Sequence, residues 1–350
     1  MIKRGGLYWD REALPPEIFE QRLKRVQAAI AESGDDAWVM YGDAQRYGPA
    51  TYVSHFLPRT RSVLVLVPRS GQPALLASVG PRDVPAAKTL TAVEDVRPFV
   101  RLPREAIRLL VEFGLGQKQV GLVGAHAQLS VAEWEAISSE LPEIQWQQRD
   151  DAFEQLRVAK APEERAMIHR ALEVARTGLD AAAEAIRRGQ SVRQALAVVD
   201  KAMRYAGAED LRLLAAVGNG SLRPASDVRL TGQSVSVLAE VEVQRYWAEA
   251  ARTYHGSPAL AEQALQAMVD AAKPGAAAGA VADAARGVLS SATGWTDTSA
   301  DAYGLGHGIG LDLEERPAIE PGSRAALVSG SALALHVVLP GAIAGTTVLV

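Results

Sequence analysis

Residues Val235 to Tyr254 read VSVLAEVEVQRYWAEAARTY. Either side of Gln244 the apolar and polar residues alternate with the two-residue period of a strand. In the first run Val235, Val237, Ala239, Val241 and Val243 share one face, and Ser236, Leu238, Glu240 and Glu242 share the other. In the second run Trp247, Glu249, Ala251 and Thr253 alternate with Tyr246, Ala248, Ala250 and Arg252. Two acids and a leucine on one face are an odd composition for a core strand. Glu240, Glu242 and Glu249 are therefore either solvated or paired with Arg245 and Arg252, or they belong to a site.

Working outward, the flanking sequence is alanine-rich and helical. Pro162 suits the first turn of a helix, Glu163 and Glu164 favour its positive end, and apolar positions continue through Ile168, Leu172, Ala175, Leu179 and Ala183. Gly189 stops this helix, and Ser191 can cap a second one from Val192 to Tyr205, before Gly207. A similar unit follows the strands: Pro258 opens a helix that closes at Lys273, Pro274 and Gly275, and another helix runs up to Gly294. Helix, helix, strands thus occurs twice. Two such copies facing each other would enclose a sheet-lined crevice, a natural place for a ligand.

The residues before about 150 have a different texture. Helix-like periodicity at 16–31, 104–113 and 131–141 alternates with strand-like runs at 37–41 and 120–123, and 61–68 meets 73–78 across a four-residue turn. This is a mixed α/β domain without a Gly-x-Gly-x-x-Gly after a strand, so a dehydrogenase reading has little support. The expected domains are 1–152 and 153–350.

Composition narrows the function classes. The 350 residues carry 37 basic and 41 acidic side chains, a net charge of -4 that offers no electrostatic grip on nucleic acid. The absence of cysteine removes disulfides, thiolate nucleophiles and zinc fingers, and leaves six histidines as the scarce reagents for metal or proton chemistry. The N-terminal MIKRGGLYWD lacks the apolar run of a secretory signal, so a cytoplasmic location is expected. Residues 325–350 hold no fixed charge, but Ser329, Gly330, Ser331, Pro340, Gly341 and Gly345 to Thr347 cut them into buried strands and turns rather than a membrane span.

One further motif stands out, Gly304-Leu-Gly-His-Gly-Ile-Gly-Leu-Asp312. Glycines on both sides of His307 let the backbone pack closely and leave the imidazole open to a ligand. With no following lysine and no clear helix start, the stretch does not read as a phosphate loop.

These stretches resemble the creatinase, prolidase and aminopeptidase P family. Leu156 to Lys160 followed by Pro162, Glu163, Glu164 and Ile168 is similar to the entry of its pita-bread domain. Gly232 to Tyr254 is similar to its strand pair bearing two aspartates, Gly306 to Leu311 to its histidine motif, and Leu327 to Gly330 to its next strand. The resemblance implies an α/β N-terminal creatinase-like domain, an α+β pita-bread C-terminal domain and a homodimer. It also implies two divalent metals held by two Asp, one His and two Glu, which activate a bridging hydroxide to cleave the bond before proline.

The sequence departs from that metal set. The first aspartate position is Leu238, the second is Glu249, the histidine is His307, the first glutamate position is His336 and the last falls near Gly345. No histidine lies between Gly218 and Gly232, where the family has a catalytic one, and the second histidine of the His307 motif is replaced by Glu314. The survivors Glu249, His307 and His336 map onto one metal subsite, so the expected cofactor is none or one divalent ion (Zn, Mn or Fe), and a two-metal centre is not expected. Aligning on Pro340 and Gly341 instead places Leu339 at the glutamate position, with His336 on the opposite face.

The resulting expectation is a divergent Xaa-Pro peptidase homologue that binds a small peptide-like or imino-acid ligand without ordinary turnover. The alternative is a hydrolase of C–N bonds that uses a single metal, or a metal-free creatinase-like mechanism. In the alternative His307 or His336 acts as base, and Arg252, Arg223 and Glu240 bind the substrate. Of the other histidines, His126 and His169 read as surface residues, His255 as a residue at the crevice mouth, and His55 as a residue near a neighbouring subunit's site.

Overall fold

A computed structural model describes residues 7–290 and 303–350, so residues 1–6 of the N-terminal segment and the expected helix end at Gly294 lie outside it. The chain divides between Arg157 and Val158 into two units. The division falls five residues later than the expected boundary, because the helix Asp150–Arg157 stays with the first unit. Phe153 of that helix is fully buried and packs edge-on against Tyr52, with ring centroids 5.4 Å apart.

In the first unit the elements are α1 (Pro16–Glu32), β1 (Ala37–Asp43), α2 (Gly48–Ser54), β2 (Ser62–Pro68), β3 (Ala74–Ala77), α3 (Val84–Lys88), β4 (Asp95–Pro98), α4 (Leu102–Glu112), β5 (Gln119–Val123), α5 (Ala125–Gln128), α6 (Val131–Glu140), β6 (Gln145–Gln148) and α7 (Asp150–Arg157). The sheet order is β4-β3-β2-β1-β5-β6, and every strand but β2 runs in the same direction. The hairpin read from residues 61–78 is the antiparallel pair β2 and β3. A core of Val39, Tyr41, Leu64, Leu66, Leu109, Leu110 and Ile137 lies between the sheet and α4 and α6.

The second unit contains α8 (Pro162–Arg187), α9 (Val192–Tyr205), β7 (Asp210–Val217), β8 (Val235–Val243), β9 (Tyr246–Tyr254), α10 (Ala259–Ala271), α11 (Ala278–Leu289), β10 (Gly306–Gly308), β11 (Glu315–Ala318), β12 (Ala332–Leu339) and β13 (Ala342–Leu349). Helix α8 starts where Pro162 allows, and the Glu164 carboxylate accepts from the backbone N–H of Ala161 at 2.9 Å. Its end is set by Gly189, which takes φ +66°. Helix α9 has a reciprocal cap: Ser191 Oγ accepts from the Gln194 N–H, and Gln194 Oε1 accepts from the Ser191 N–H.

The duplicated halves do not face each other across a gap. They join edge to edge in one seven-stranded sheet, β11-β10-β12-β13-β9-β8-β7, in which β9 pairs with β13. Helices of both halves pack on one face. There Leu333, Leu335, Val337, Ala342 and Ala344 bury against Ala261, Ala264 and Met268 of α10 and against α11. The tail expected to form strands is the β12–β13 hairpin, turned at Gly341 with φ +78°. No helix among the described residues is long and apolar enough to cross a membrane.

The turn between β8 and β9 uses Gln244 at φ +48° and Arg245 at φ +72°, a conformation that ordinarily favours Asn or Gly. Buried Glu209 holds it. Its carboxylate accepts from the Arg245 backbone N–H at 3.1 Å and from Arg245 Nη1 at 2.7 and 2.8 Å. Arg245 therefore pairs with Glu209, an acid outside the two strands.

Candidate functional site

The face of the sheet turned away from the helices carries the polar residues singled out by the sequence. Register places Arg212 beside Glu240 and Glu240 beside Glu249. Thr347 comes next: its hydroxyl accepts from the Glu249 N–H at 2.8 Å and lies 3.0 Å from the Glu249 carbonyl. Thr347 pairs with Ala334, and Ala334 with His307. Opposed residues of antiparallel strands point the same way, so this is one row across six strands. The adjacent row runs Leu214, Leu238, Ala251, Gly345, His336.

Glu249 and His336 meet between these rows. Glu249 is 1% exposed, and its Oε1 lies 2.8 Å from His336 Nδ1. The other ring nitrogen of His336 lies 3.0 Å from the carbonyl oxygen of Tyr303. Both partners are acceptors, so both nitrogens carry hydrogen and the ring is an imidazolium. Burial by itself would push His336 down, but the charge and hydrogen bond of Glu249, the Tyr303 carbonyl and nearby Glu240 lift it to about 9. For Glu249 burial acts upward and is outweighed, since His336, then His307 and Arg212, hold the carboxyl below its usual range.

Glu240, 2% exposed, accepts from Nε and Nη2 of Arg212 in a two-pronged contact. Burial pushes Glu240 up to about 7, with Arg212 opposing and Glu249 reinforcing. Arg212 is half exposed at strand β7, and exposed Glu314 acts on it through space.

His307 is half-buried, with its Nδ1 2.9 Å from the Gly308 carbonyl. That contact puts a hydrogen on Nδ1, and Nε2 has no hydrogen-bond partner among the described residues. The glycines around it are required by backbone packing. A Cβ on Gly306 would lie 2.2 Å from the Ala334 carbonyl oxygen, and one on Gly308 would lie 2.2 Å from that of Arg316. At Gly310 it would meet the buried Lys160–Glu315 ion pair, whose own N–O distance is 2.7 Å.

The other expected site residues lie elsewhere. Arg252 shares the helix-side face with Tyr246, Ala248 and Ala250, and its Nη1 lies 2.5 Å from Asp180 Oδ1 of α8, so it does not anchor a ligand on the face of Glu249. Arg223 is exposed beyond the β7 edge, where its backbone bridges to Ala215 in the row of helix-facing Val237. His336 does share the face of Glu249, whereas Leu339, its rival in the alternative alignment, packs toward the helix core. His55 is 1% exposed between Trp9 and Phe19, whose rings lie 5.2 and 5.3 Å away, and is a core residue of its own domain. His126, His169 and His255 are exposed. Sequence reading missed Arg212 and Thr347. The signal for Arg212 was the alternation of residues 210–217, which continues the polar row by one strand.

A metal set is poorly matched by these side chains. Both nitrogens of His336 are committed to acceptors, and an imidazolium offers no lone pair to an ion. Its ring centroid lies 6.2 Å from that of His307, and no group of three His, Asp or Glu among the described residues is arranged to hold an ion. In this conformation Glu249 and His336 are partners to each other. Leu238 supplies no donor atom, and Gly345 has no side chain; a Cβ there would meet Ala251 Cβ at 3.1 Å and His336 Cβ at 3.3 Å.

Comparison with known proteins agrees with the architecture. Residues 166–346 match metallopeptidase family M24, and residues 22–159 match the creatinase/prolidase N-terminal domain. The chain is 26% identical over 335 residues to an Xaa-Pro dipeptidase of Pyrococcus horikoshii, covering 91% of this chain and 90% of that protein. It is 29% identical over 234 residues to an Xaa-Pro dipeptidase of Pyrococcus furiosus, covering 63% of this chain and 66% of that protein. The crystal structure of an X-Pro aminopeptidase from Thermotoga maritima superimposes with a TM-score of 0.77 at 22% identity over 93% of each chain, a likeness of fold.

Proposed function

Because the chain belongs to metallopeptidase family M24, we propose that it is a divergent Xaa-Pro peptidase homologue that binds a small peptide-like or imino-acid ligand on the face of Glu249 without two-metal turnover. One observation carries this reading: Glu249 is closed by His336, a cation supplied by the chain itself, at 2.8 Å. Leu238 and Gly345 beside that pair offer nothing to a second ion. Without ions to clamp the attacking and leaving oxygens, the two-metal route to peptide cleavage has no support from these residues. The ligand would meet the polar row from Arg212 to His307. The proposal includes a cytoplasmic homodimer, and sedimentation measures the assembly.

The open Nε2 of His307 favours a second reading, a metal-free hydrolase of C–N bonds in which His307 takes a proton from water. His336, already protonated, is a hydrogen-bond donor in either reading and not the base.

The test is a thermal-shift screen of proline, Xaa-Pro dipeptides and small amidines, run beside product analysis with and without manganese. Saturable stabilisation without product is expected. Manganese-dependent release of proline would overturn the proposal, as would about one equivalent of bound metal lost alike in His307→Ala and Glu249→Ala. Metal-independent product that disappears in His307→Ala would establish the second reading.

A further inference from the structure

The first unit contains a cleft of about 910 Å³ that plays no part in the proposed function. It lies over the carboxyl end of β1 and the start of β2, between α4 and α6. Tyr41, Ser62, Phe99 and Leu102 form its buried floor, and Arg61, Arg101 and Arg104 rise around it.

The charges there are not internally neutralised. Arg101 has no hydrogen-bond or ion-pair partner among the described residues. Arg61 donates from Nη1 to the Val100 carbonyl at 3.1 Å and meets no carboxylate among the described residues. Arg104 reaches Glu105 only at 3.9 Å. Elsewhere on this unit arginines close onto acids: Arg97 onto Asp95 and Glu112 at 2.7 and 2.6 Å, and Arg149 onto Asp35 at 2.7 Å. Helix α4 points its first turn into the same cleft from Arg101, with no side chain capping it. Two acids line the far wall: Glu133, which accepts from Ser130 Oγ at 2.8 Å, and Glu140. Three guanidinium groups against two carboxylates leave the lining net positive.

We propose that this cleft binds a small organic anion carrying phosphate or carboxylate groups, held by Arg61 and Arg101 with Arg104 at the rim. The buried Tyr41 floor accommodates its less polar part. Guanidinium forks suit both kinds of oxyanion.

The test is calorimetric titration of the full chain with pyrophosphate and with citrate at constant ionic strength, repeated on Arg101→Ala and on Arg61→Ala/Arg101→Ala. Arg324→Ala, an exposed arginine of the other unit, is the control. Saturable one-to-one binding is expected, weakened about tenfold or more in the double variant and unchanged in the control. Pyrophosphate alone saturating would assign a phosphate ligand, and citrate alone a carboxylate. A non-saturating response, or equal affinity in the double variant, would overturn the proposal. The unliganded melting temperature of Arg101→Ala should match the parent, because that side chain has no partner to lose.

Discussion

His336 shows how one side chain changes the chemistry of a site. Placed opposite Gly345 and against Glu249, it brings a positive charge to a position where the family resemblance implies a negative one. Breaking the pair leaves its partner buried alone, so Glu249→Gln should lose about 3 kcal/mol in chemical denaturation, and Glu249→Gln/His336→Gln should lose less than the two single variants combined. The pair also makes stability depend on pH. Glu249 from β9 and Glu240 from β8 act on the imidazolium, and His307 from β10 and Arg212 from β7 act on Glu249. His336 is raised from 6.5 to about 9, so its contribution is full below 6.5 and is lost as pH rises through about 9. Glu240 acts in the same direction at lower pH, its contribution fading as pH rises through about 7. Glu249, held low, contributes above its ordinary value and loses that contribution in acid. The urea midpoint should therefore fall on the alkaline side, and His336→Gln should flatten that limb near pH 9; an unchanged slope would refute the ion pair.

At the level of elements, strand alternation and capping residues were strongly legible, and pairing partners were not. Pro162, Gly189 and Ser191 bound α8 and α9 because local backbone chemistry settles where a helix starts and stops. The two faces of β8 and β9 were likewise readable. That same alternation already set Arg252 apart from Glu249, and only the attraction of an arginine next to a site argued otherwise. Which residue neutralises which was unreadable: Glu209 for Arg245, Arg212 for Glu240 and Thr347 for the Glu249 backbone are contacts made across strands distant in sequence. The glycines near His307 were read as room for a ligand as well as for packing, and packing accounts for them. Gly308→Ala should destabilise by about 1–3 kcal/mol, because its Cβ meets fixed backbone. Gly287→Ala in α11, where nothing lies within 4 Å, should stabilise by about 0.5–1 kcal/mol. Thermal melts of the two variants should therefore move in opposite directions.

For the whole molecule, the polar face joins both halves of the duplicated unit, Arg212, Glu240 and Glu249 coming from one half and His307 and His336 from the other. Because Glu240 and Glu249 are matched by Arg212 and His336, dialysis against a chelator should leave the melting temperature unchanged, and added manganese should not raise it; a metal-dependent rise would contradict the proposed function. The opposition of His336 and Gly345 also has a consequence for substitution. Moving from this face to a two-ion centre would require Leu238→Asp, His336→Glu and Gly345→Glu together. His336→Glu alone sets a third acid against Glu249 and Glu240, and Gly345→Glu alone forces a side chain between Ala251 and His336. An acid introduced alone at either position meets a repulsive or crowded face, so these substitutions are coupled and would be tolerated together more readily than one at a time.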